Sequence, residues 1–341
     1  MSHQAAWIKE QHAQLVVDEA STPTPGPGEL LIKVKTIAFS PLEAKIQRLA
    51  LIPISYPNIL GMSFGGTVES VGSDVSNFKP GDKIVTVRDG AKGGDPKFGA
   101  YQQYALASAT STAKLPDDVP LENASTSVLN MAAVASALSI FMGLDRPSAT
   151  SKAQSNGKKI LIYGGSSSAG GLATSYATAA GYEVITTSSP KHKSFVQSLG
   201  PSTIIDHSQS HADIVSAVKS HGPYEAIFDA IGLQPVTEIL SEYLQSLGGG
   251  SWYSLGVAMK PLPENIKQIF APYSLSLDKP ENSEFRTWFY SELVPKGLQS
   301  GIIVPTRAQW VEGGLGQAQK ALDMMMEGQV SGTKLLMGLS A

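Results

Sequence analysis

Residues 159–171 read KILIYGGSSSAGG. The apolar run Lys159–Tyr163 predicts a strand, and the small residues after it predict a tight turn. A helix over Leu172–Ala180 and a second strand over Tyr182–Thr187 complete a strand–helix–strand unit. Such a turn brings backbone N–H groups at a helix N-terminus close to a pyrophosphate, where the helix dipole favours negative charge. The stretch therefore predicts a dinucleotide site.

The glycine fingerprint of such turns, G-x-G-x-x-G, is present with serine in its second glycine position, as Gly165-x-Ser167-x-x-Gly170. A lone fingerprint is weak evidence, but the strand before it, the helix after it and the second strand at the right distance strengthen it. The hydroxyls of Ser166, Ser167 and Ser168 add hydrogen-bond donors for phosphate. We expect these serines and the two glycines to bind the pyrophosphate; a plain strand–helix turn is the alternative.

The end of the second strand indicates which dinucleotide binds. An acid about 20 residues beyond the fingerprint is expected for NAD, but residues 186–189 are Thr-Thr-Ser-Ser. Lys191, His192 and Lys193 follow, and Ser189 before a proline predicts a helix N-cap. Hydroxyls and positive charge thus converge where a 2′-phosphate would lie. We expect NADPH, bound through Ser189, Lys191 and Lys193; a solvated first turn of a helix is the alternative.

Composition is that of an ordinary globular protein. The 341 residues predict about two domains. The formal net charge is −3 with no basic block, which argues against nucleic acid as a partner. The absence of cysteine excludes disulfides and thiolate zinc sites and is consistent with a reducing compartment. The first 14 residues lack a signal-peptide pattern, so a cytoplasmic location is expected.

The most apolar run is Val128–Leu144, with 17 residues. This is the lower limit of membrane-spanning length, and the run contains Asn130, two serines and several alanines. It therefore predicts a buried helix, and no membrane partner is expected.

The element pattern changes along the chain. Residues 1 to about 120 alternate short strand-like runs with turn signals, which predicts a barrel or sandwich. From about 125 to 260, strands alternate with helices, which predicts an α/β fold with a doubly wound parallel sheet. The tail ends with a helix over Gly316–Glu327 and a strand over Lys334–Met337.

This order resembles that of the medium-chain dehydrogenase/reductase superfamily. Several segments besides the cofactor turn carry the resemblance: Ser40–Lys45, Gly61–Val68, Phe98–Tyr104, Phe228–Gly232 and Val330–Leu335. The details are similar to the zinc-independent quinone oxidoreductases and the trans-acting enoyl reductases of polyketide pathways. The resemblance implies a Rossmann NADP-binding domain over 126–264 and a β-rich, GroES-like barrel domain, the catalytic domain, formed by 1–125 and 265–341.

Positions that would hold zinc differ from the zinc enzymes of this superfamily. Those enzymes carry a cysteine near position 40 and a histidine after Gly61, where this chain has Ser40 and Met62. The resemblance therefore implies no metal. His207 and His211 have a metal-like spacing but no third ligand nearby, so they are expected at the surface or beside the cofactor. Relatives place a tyrosine over the adenosine phosphate where this chain has His207.

The expected chemistry follows from the missing metal, because an activated alkene needs less electrophilic assistance than an isolated ketone. Hydride would reach the β-carbon and a proton the α-carbon, from Lys45, Tyr101 or water. Lys45 is the first candidate because the family pattern Asn-Pro-x-Asp-x-Lys keeps its lysine here; an ordinary surface lysine is the alternative. The nicotinamide end is expected near Leu255 and Gly256, and the resemblance places Lys334 close to the cofactor.

The function expected is therefore a zinc-independent, NADPH-dependent reductase of an enone, an enal or a quinone. One alternative is a trans-acting enoyl reductase whose substrate is an acyl chain on a carrier protein. For this alternative we expect a rim of basic side chains that contacts an acidic carrier protein; the candidates are Lys45, Arg48, Lys92 and Lys97. Another is an NADPH-binding structural or regulatory protein without turnover. Either a monomer or a homodimer is expected.

Overall fold

The computed structural model describes residues 1–339. The chain divides into two compact units. Unit 1 contains Met1–Leu129, Leu277–Gln299 and the residues from Pro305 onward. Unit 2 contains Asn130–Ser276 and Ser300–Val304.

The described residues form strands and α-helices that are numbered in chain order. The strands are β1 (Ser2–Ile8), β2 (Leu15–Ser21), β3 (Glu29–Ala38), β4 (Asn58–Ile59), β5 (Ser63–Val71), β6 (Lys83–Val87), β7 (Tyr104–Ser108), β8 (Thr112–Lys114), β9 (Lys159–Tyr163), β10 (Glu183–Ser188), β11 (Thr203–Asp206), β12 (Ala226–Asp229), β13 (Gly250–Ser254), β14 (Ile266–Phe270), β15 (Ala308–Trp310) and β16 (Lys334–Gly338). The helices are α1 (Pro41–Leu49), α2 (Leu121–Ala135), α3 (Ser168–Ala179), α4 (Lys193–Ser198), α5 (His211–His221), α6 (Gln234–Gln245), α7 (Ser283–Trp288), α8 (Val294–Gln299) and α9 (Ala318–Met326).

Unit 1 is built on a seven-stranded sheet in the order β15-β16-β3-β5-β6-β8, with β7 also paired to β3. A second sheet has the order β2-β1-β4. All pairs are antiparallel except β15 with β16. Its core contains completely buried side chains such as Ile32, Phe64 and Tyr101. Burying one large apolar side chain contributes about 1.5–3 kcal/mol, so this core holds the unit together.

Helix α1 begins where its sequence predicts a helix start. Ser40 is its N-cap, Pro41 occupies the first turn, and the Glu43 side chain accepts a hydrogen bond from the Ser40 backbone N–H. This reciprocal arrangement is a capping box, which satisfies backbone donors that a helix start leaves without partners. The helix ends at Ala50, which is left-handed with a φ of 47°.

Unit 2 contains a six-stranded parallel sheet in the order β11-β10-β9-β12-β13-β14. The first strand in sequence, β9, lies in the middle, and later strands are added on both sides of it. This is the doubly wound arrangement expected from the sequence, and its strand order reverses at β9. The carboxyl ends of all six strands meet at one edge, which is where such sheets bind ligands.

Residues 265–276 differ from the expected division. The expectation groups them with the barrel domain, whereas β14 pairs in parallel with β13. The connection between these strands contains no helix, so the strand–helix alternation that marks the rest of the sheet is missing there.

Helix α3 begins at Ser168, four residues before the predicted start. Its first turn is made of serine, alanine and glycine, which carry no apolar periodicity. The N-cap is Ser167, whose hydroxyl accepts a hydrogen bond from the Gly170 N–H at 3.0 Å. The cap, and not the hydrophobic pattern, sets the helix start.

Residues 128–141 of the apolar run lie in α2 and in the π-helical turn Ser136–Phe141 that continues it. Within residues 1–339, Leu121–Phe141 is the one helix long and apolar enough to cross a membrane by length and composition. In its most apolar window, 72% of the residues are buried inside the protein. Such burial agrees with the core helix predicted for this run.

Candidate functional site

The turn after β9 is fixed to the neighbouring strand β10 by two hydrogen bonds. The Gly164 N–H donates to Thr187 Oγ1 at 2.8 Å, and the Gly165 N–H donates to the Thr187 carbonyl at 2.9 Å. Gly164 has a φ of 94°, a conformation that side-chain-bearing residues rarely adopt. The turn therefore holds the N-terminus of α3 at the carboxyl edge of the sheet.

Two glycines of this turn have no room for a side chain. A Cβ at Gly165 would lie 2.3 Å from Thr186 Oγ1, and a Cβ at Gly170 would lie 2.1 Å from the Gly164 carbonyl oxygen. This is the close backbone packing that a phosphate-binding turn requires. The residues present therefore fit a dinucleotide pyrophosphate at the start of α3.

The three serines of the turn have different environments. Ser166 is half-buried, makes no hydrogen bond within residues 1–339, and lines a cavity of about 380 Å³ together with His207 and Ile231. Ser167 caps α3, while the Ser168 hydroxyl accepts a hydrogen bond from Asn130 Nδ2 at 2.6 Å. Among the three, Ser166 has the hydroxyl most available to a ligand.

Lys191 and Lys193 lie together just beyond the carboxyl end of β10, and both are exposed. Neither forms an ion pair in the part of the chain that the structure describes. Ser189 begins a 3₁₀ turn, Pro190–His192, but its side chain makes no capping hydrogen bond. His192, between the two lysines, is buried.

Replacing Gly170 by alanine is expected to weaken NADPH binding about tenfold, because the new Cβ forces apart the Gly164 carbonyl and the start of α3. Fluorescence titration of the two proteins measures the loss. Gly316→Ala is the control, since a Cβ there meets no atom within 4 Å. Equal affinities for wild type and Gly170→Ala would show that the tight turn does not hold the cofactor.

In unit 1, a single buried carboxylate connects three segments of the chain. Glu43 Oε2 accepts hydrogen bonds from the Ser40 N–H and the Tyr101 hydroxyl, each at 2.7 Å. Glu43 Oε1 accepts from the Met62 N–H at 2.6 Å. The carboxylate thus joins the start of α1, the loop before β5 and the segment before β7.

Lys334, at the start of β16, is also buried in unit 1. Its Nζ has no hydrogen-bond partner among the described residues. Burial lowers the pKa of Lys334 to about 8, and the charge of Glu43 acts in the opposite direction. Burial likewise raises the pKa of Glu43, against the effect of the donors around it and of Lys334. The two groups form an electrostatically coupled pair.

The expected catalytic residues lie in contrasting environments. Tyr101 is completely buried, donates its hydroxyl to Glu43, and has its pKa raised well above the usual value by burial and by that carboxylate. Lys45 is exposed on α1 and makes no side-chain hydrogen bond or ion pair within residues 1–339. Sequence reasoning missed Glu43, although its position three residues after Ser40 is the capping-box signal.

Leu255 and Gly256 follow β13 at the carboxyl edge of the parallel sheet, and both are half-buried. A second residue that sequence reasoning missed, Asp229, lies at the end of β12 and is completely buried. Its carboxylate accepts hydrogen bonds from the loop that follows β12. In the sequence, the motif around Asp229 carries only the family resemblance.

His207 and His211 both line the 380 Å³ cavity and are exposed. His211 Nε2 lies 2.9 Å from Glu242 Oε2. Within residues 1–339, no three His, Asp or Glu side chains are grouped in a way that would hold a metal ion.

Comparison with known proteins connects these features to a family. Residues 26–117 match the model of the alcohol dehydrogenase GroES-like domain. The chain is 33% identical to the trans-enoyl reductase himH of Aspergillus japonicus, over 99% of this chain and 98% of that protein. It is 31% identical to the trans-enoyl reductase tndF of Aspergillus flavipes, over 99% of each chain.

A mycobacterial protein whose structure was solved in complex with NADPH has the same fold, with a TM-score of 0.76 and 22% identity over 99% of this chain and 100% of that one. The GroES-like and parallel-sheet folds expected from the sequence are confirmed. With relatives of this identity over its full length, the chain belongs to the medium-chain dehydrogenase/reductase superfamily of oxidoreductases, in the branch that includes trans-acting enoyl reductases.

Proposed function

We propose that this protein is an NADPH-dependent reductase of an activated C=C bond or a quinone. The observation that carries the proposal is the carboxyl edge of the unit 2 sheet, where a tight glycine turn opens α3 and two unpaired lysines follow β10. No acid occupies residues 186–189, so nothing there favours the free ribose hydroxyls of NADH. Two relatives are named as trans-enoyl reductases, which supports the proposed reduction of a C=C bond.

In this proposal, Gly165, Ser166 and the start of α3 hold the pyrophosphate. Lys191 and Lys193 hold the 2′-phosphate, with Ser189 and His207 beside them. The chemistry that NADPH would supply when bound is a hydride for the β-carbon of an enone or for a quinone. Leu255 and Gly256 would flank the nicotinamide half. Lys334, whose buried Nζ has no hydrogen-bond partner among the described residues, would act on Glu43 through its charge.

The proton is the part of the reaction that the chain's own side chains supply. Lys45 is exposed and unpaired, which suits a donor that must meet a substrate carbon. Tyr101 donates its hydroxyl to Glu43 and is completely buried, which suits a positioning role. Through Glu43 it would fix the start of α1, the helix that carries Lys45.

Replacing both Lys191 and Lys193 by alanine is expected to weaken NADPH binding about 30-fold, at about 1 kcal/mol for each exposed phosphate contact. NADH affinity should change less than about twofold, because NADH has no 2′-phosphate. Fluorescence titration of both cofactors measures the two effects. Lys152→Ala/Lys267→Ala is the matched control, since it removes two exposed lysines of the same unit. Parallel losses for NADPH and NADH would contradict the assignment.

Turnover tests the activity itself. NADPH consumption is followed with an enone, an enal and a quinone, each at several concentrations. Consumption with any of them supports the reductase. Tight NADPH binding without consumption of any substrate would instead favour a protein that binds the cofactor without free-substrate turnover.

The second candidate is a reductase of carrier-tethered acyl chains, which the names of the relatives favour. The basic rim has less unpaired positive charge for a carrier protein than the sequence indicates. Arg48 forms an ion pair with Asp323 at 2.5 Å, and Lys92 forms one with Glu29 at 3.1 Å. Lys45 and Lys97 form no ion pair within residues 1–339. Comparing an enoyl thioester on a carrier protein with the same acyl group on pantetheine separates the candidates. Turnover of the tethered form alone would favour this one.

A further inference from the structure

The two carboxylate oxygens of the buried Asp229 side chain accept hydrogen bonds that connect two loops. Oδ1 accepts hydrogen bonds from the N–H groups of Ile231 and Gly232, both at 2.9 Å. Oδ2 accepts from the Ser254 hydroxyl at 2.9 Å, and the same hydroxyl oxygen accepts from the Gly256 N–H at 3.1 Å. One carboxylate thus connects the loop after β12 with the loop after β13.

The two loops also touch directly through glycine. A Cβ at Gly232 would lie 2.6 Å from the Gly256 backbone, and a Cβ at Gly256 would lie 2.5 Å from the Gly232 carbonyl oxygen. Gly232 has a φ of 66°, which a glycine adopts without strain. The loops therefore form one closely packed element whose geometry depends on the Asp229 hydrogen bonds.

The Oδ1 side of this element reaches the phosphate turn. The Ile231 side chain packs against Gly164, where an added Cβ would lie only 2.5 Å from it. Ile231 also lines the 380 Å³ cavity with Ser166 and His207. The cavity is lined from both sides of β9, by His207 and Gln209 after β11 and by Ile231 and Leu233 after β12. Ile231 is therefore a wall of the region proposed to hold the adenosine half.

The Oδ2 oxygen of Asp229 connects to the opposite part of the carboxyl edge of the parallel sheet. Ser254 is the last residue of β13 and Gly256 follows it, and this strand lies on the far side of β9 from β10 and β11. A dinucleotide centred on the β9 turn, with its 2′-phosphate at the end of β10, has its nicotinamide half on this side. Asp229 lies between the two regions.

We propose that Asp229 is a positioning residue that sets the two halves of the dinucleotide site relative to each other, with Oδ1 holding the adenosine wall and Oδ2, through Ser254, holding the nicotinamide side. The inference rests on the proposed NADPH-dependent function. It predicts that removing the hydrogen-bond partner of Oδ2 alone weakens binding of the nicotinamide half of the dinucleotide and leaves binding of the adenosine half unchanged.

The experiment compares two probes on the full chain: 2′,5′-ADP, which carries only the adenosine half, and NADPH. Ser254→Ala disconnects Oδ2 from Gly256 and leaves both Oδ1 bonds in place. We expect NADPH affinity to fall about fivefold, with 2′,5′-ADP affinity unchanged within about twofold. Ser175→Ala is the matched control, since this buried serine of the same unit donates to the Leu172 carbonyl and should change neither affinity.

Asp229→Asn provides a second test if Ser254→Ala fails to fold. The asparagine oxygen keeps both amide bonds at Oδ1, whereas its NH₂ replaces an acceptor with a donor toward Ser254. The same selective loss of NADPH affinity is expected. Equal losses of both probes, or of neither, in the variants that fold would overturn the inference. If the wild-type protein binds neither probe, both the proposed cofactor and this inference are wrong. If the wild-type protein binds the probes but does not turn over substrate, only the proposed reductase activity is contradicted.

Discussion

Replacing Glu43 by glutamine is expected to lower the free energy of unfolding by about 3 kcal/mol. The carboxylate accepts from the Ser40 N–H, the Met62 N–H and the Tyr101 hydroxyl. A glutamine has one acceptor oxygen, so its NH₂ must face at least one of these buried donors. The substitution also removes the negative charge that offsets buried Lys334. Urea unfolding at pH 7 measures the loss.

Two further variants separate the charge from the hydrogen bonds. Glu69→Gln is the control, because Glu69 is exposed and should change stability by less than about 0.5 kcal/mol. Adding Lys334→Met to Glu43→Gln removes the uncompensated cation and should recover part of the loss, so the two effects should not add. A Glu43→Gln protein as stable as the Glu69→Gln control would show that the cluster contributes little to unit 1.

Replacing Lys45 by methionine is expected to lower kcat about 100-fold with an enone, the lower end of what a general acid contributes. Methionine keeps most of the length of the side chain and its place on α1 but cannot give a proton. The rate with a quinone should change little, because the oxygens of the product take protons from water without help. Steady-state rates with both substrates, at saturating NADPH, provide the comparison.

Lys79→Met is the control for the loss of a surface charge, since Lys79 is an exposed lysine of the same unit. Its rates should equal those of wild type. If Lys45→Met slows the enone and the quinone to the same extent, the lysine acts on binding or on hydride delivery. If it slows neither, water or another group supplies the proton.

The parallel sheet was predictable because its first four strands each carry a short apolar run followed by a turn signal, as at Lys159–Tyr163. The sixth, β14, was not, because it is a half-exposed edge strand reached without a helix. Such a strand has neither the continuous apolar character nor the alternation with helices on which the prediction depends.

The candidate site was predictable where a single segment carries it, as the turn Gly165–Gly170 does. Glu43 was not recognised because its partners Met62 and Tyr101 are 19 and 58 residues away in sequence. Likewise, nothing in the sequence indicates that Lys334 is buried beside this carboxylate, since lysine is usually exposed. Residues whose role depends on long-range contacts become visible only after the chain has folded.

The position of β16 has a consequence for synthesis of the protein. Residues 36–38 of β3 pair on one side with β5 and on the other with Leu336, Met337 and Gly338 of β16. A ribosome makes about 5–20 residues per second, so tens of seconds separate the emergence of β3 from that of its last neighbour. The continuous stretch 130–276 can fold only after residue 276 has emerged, while residues 36–38 of β3 still offer unpaired backbone groups to other nascent chains. The newly made chain is therefore most prone to aggregate before its final strand leaves the ribosome.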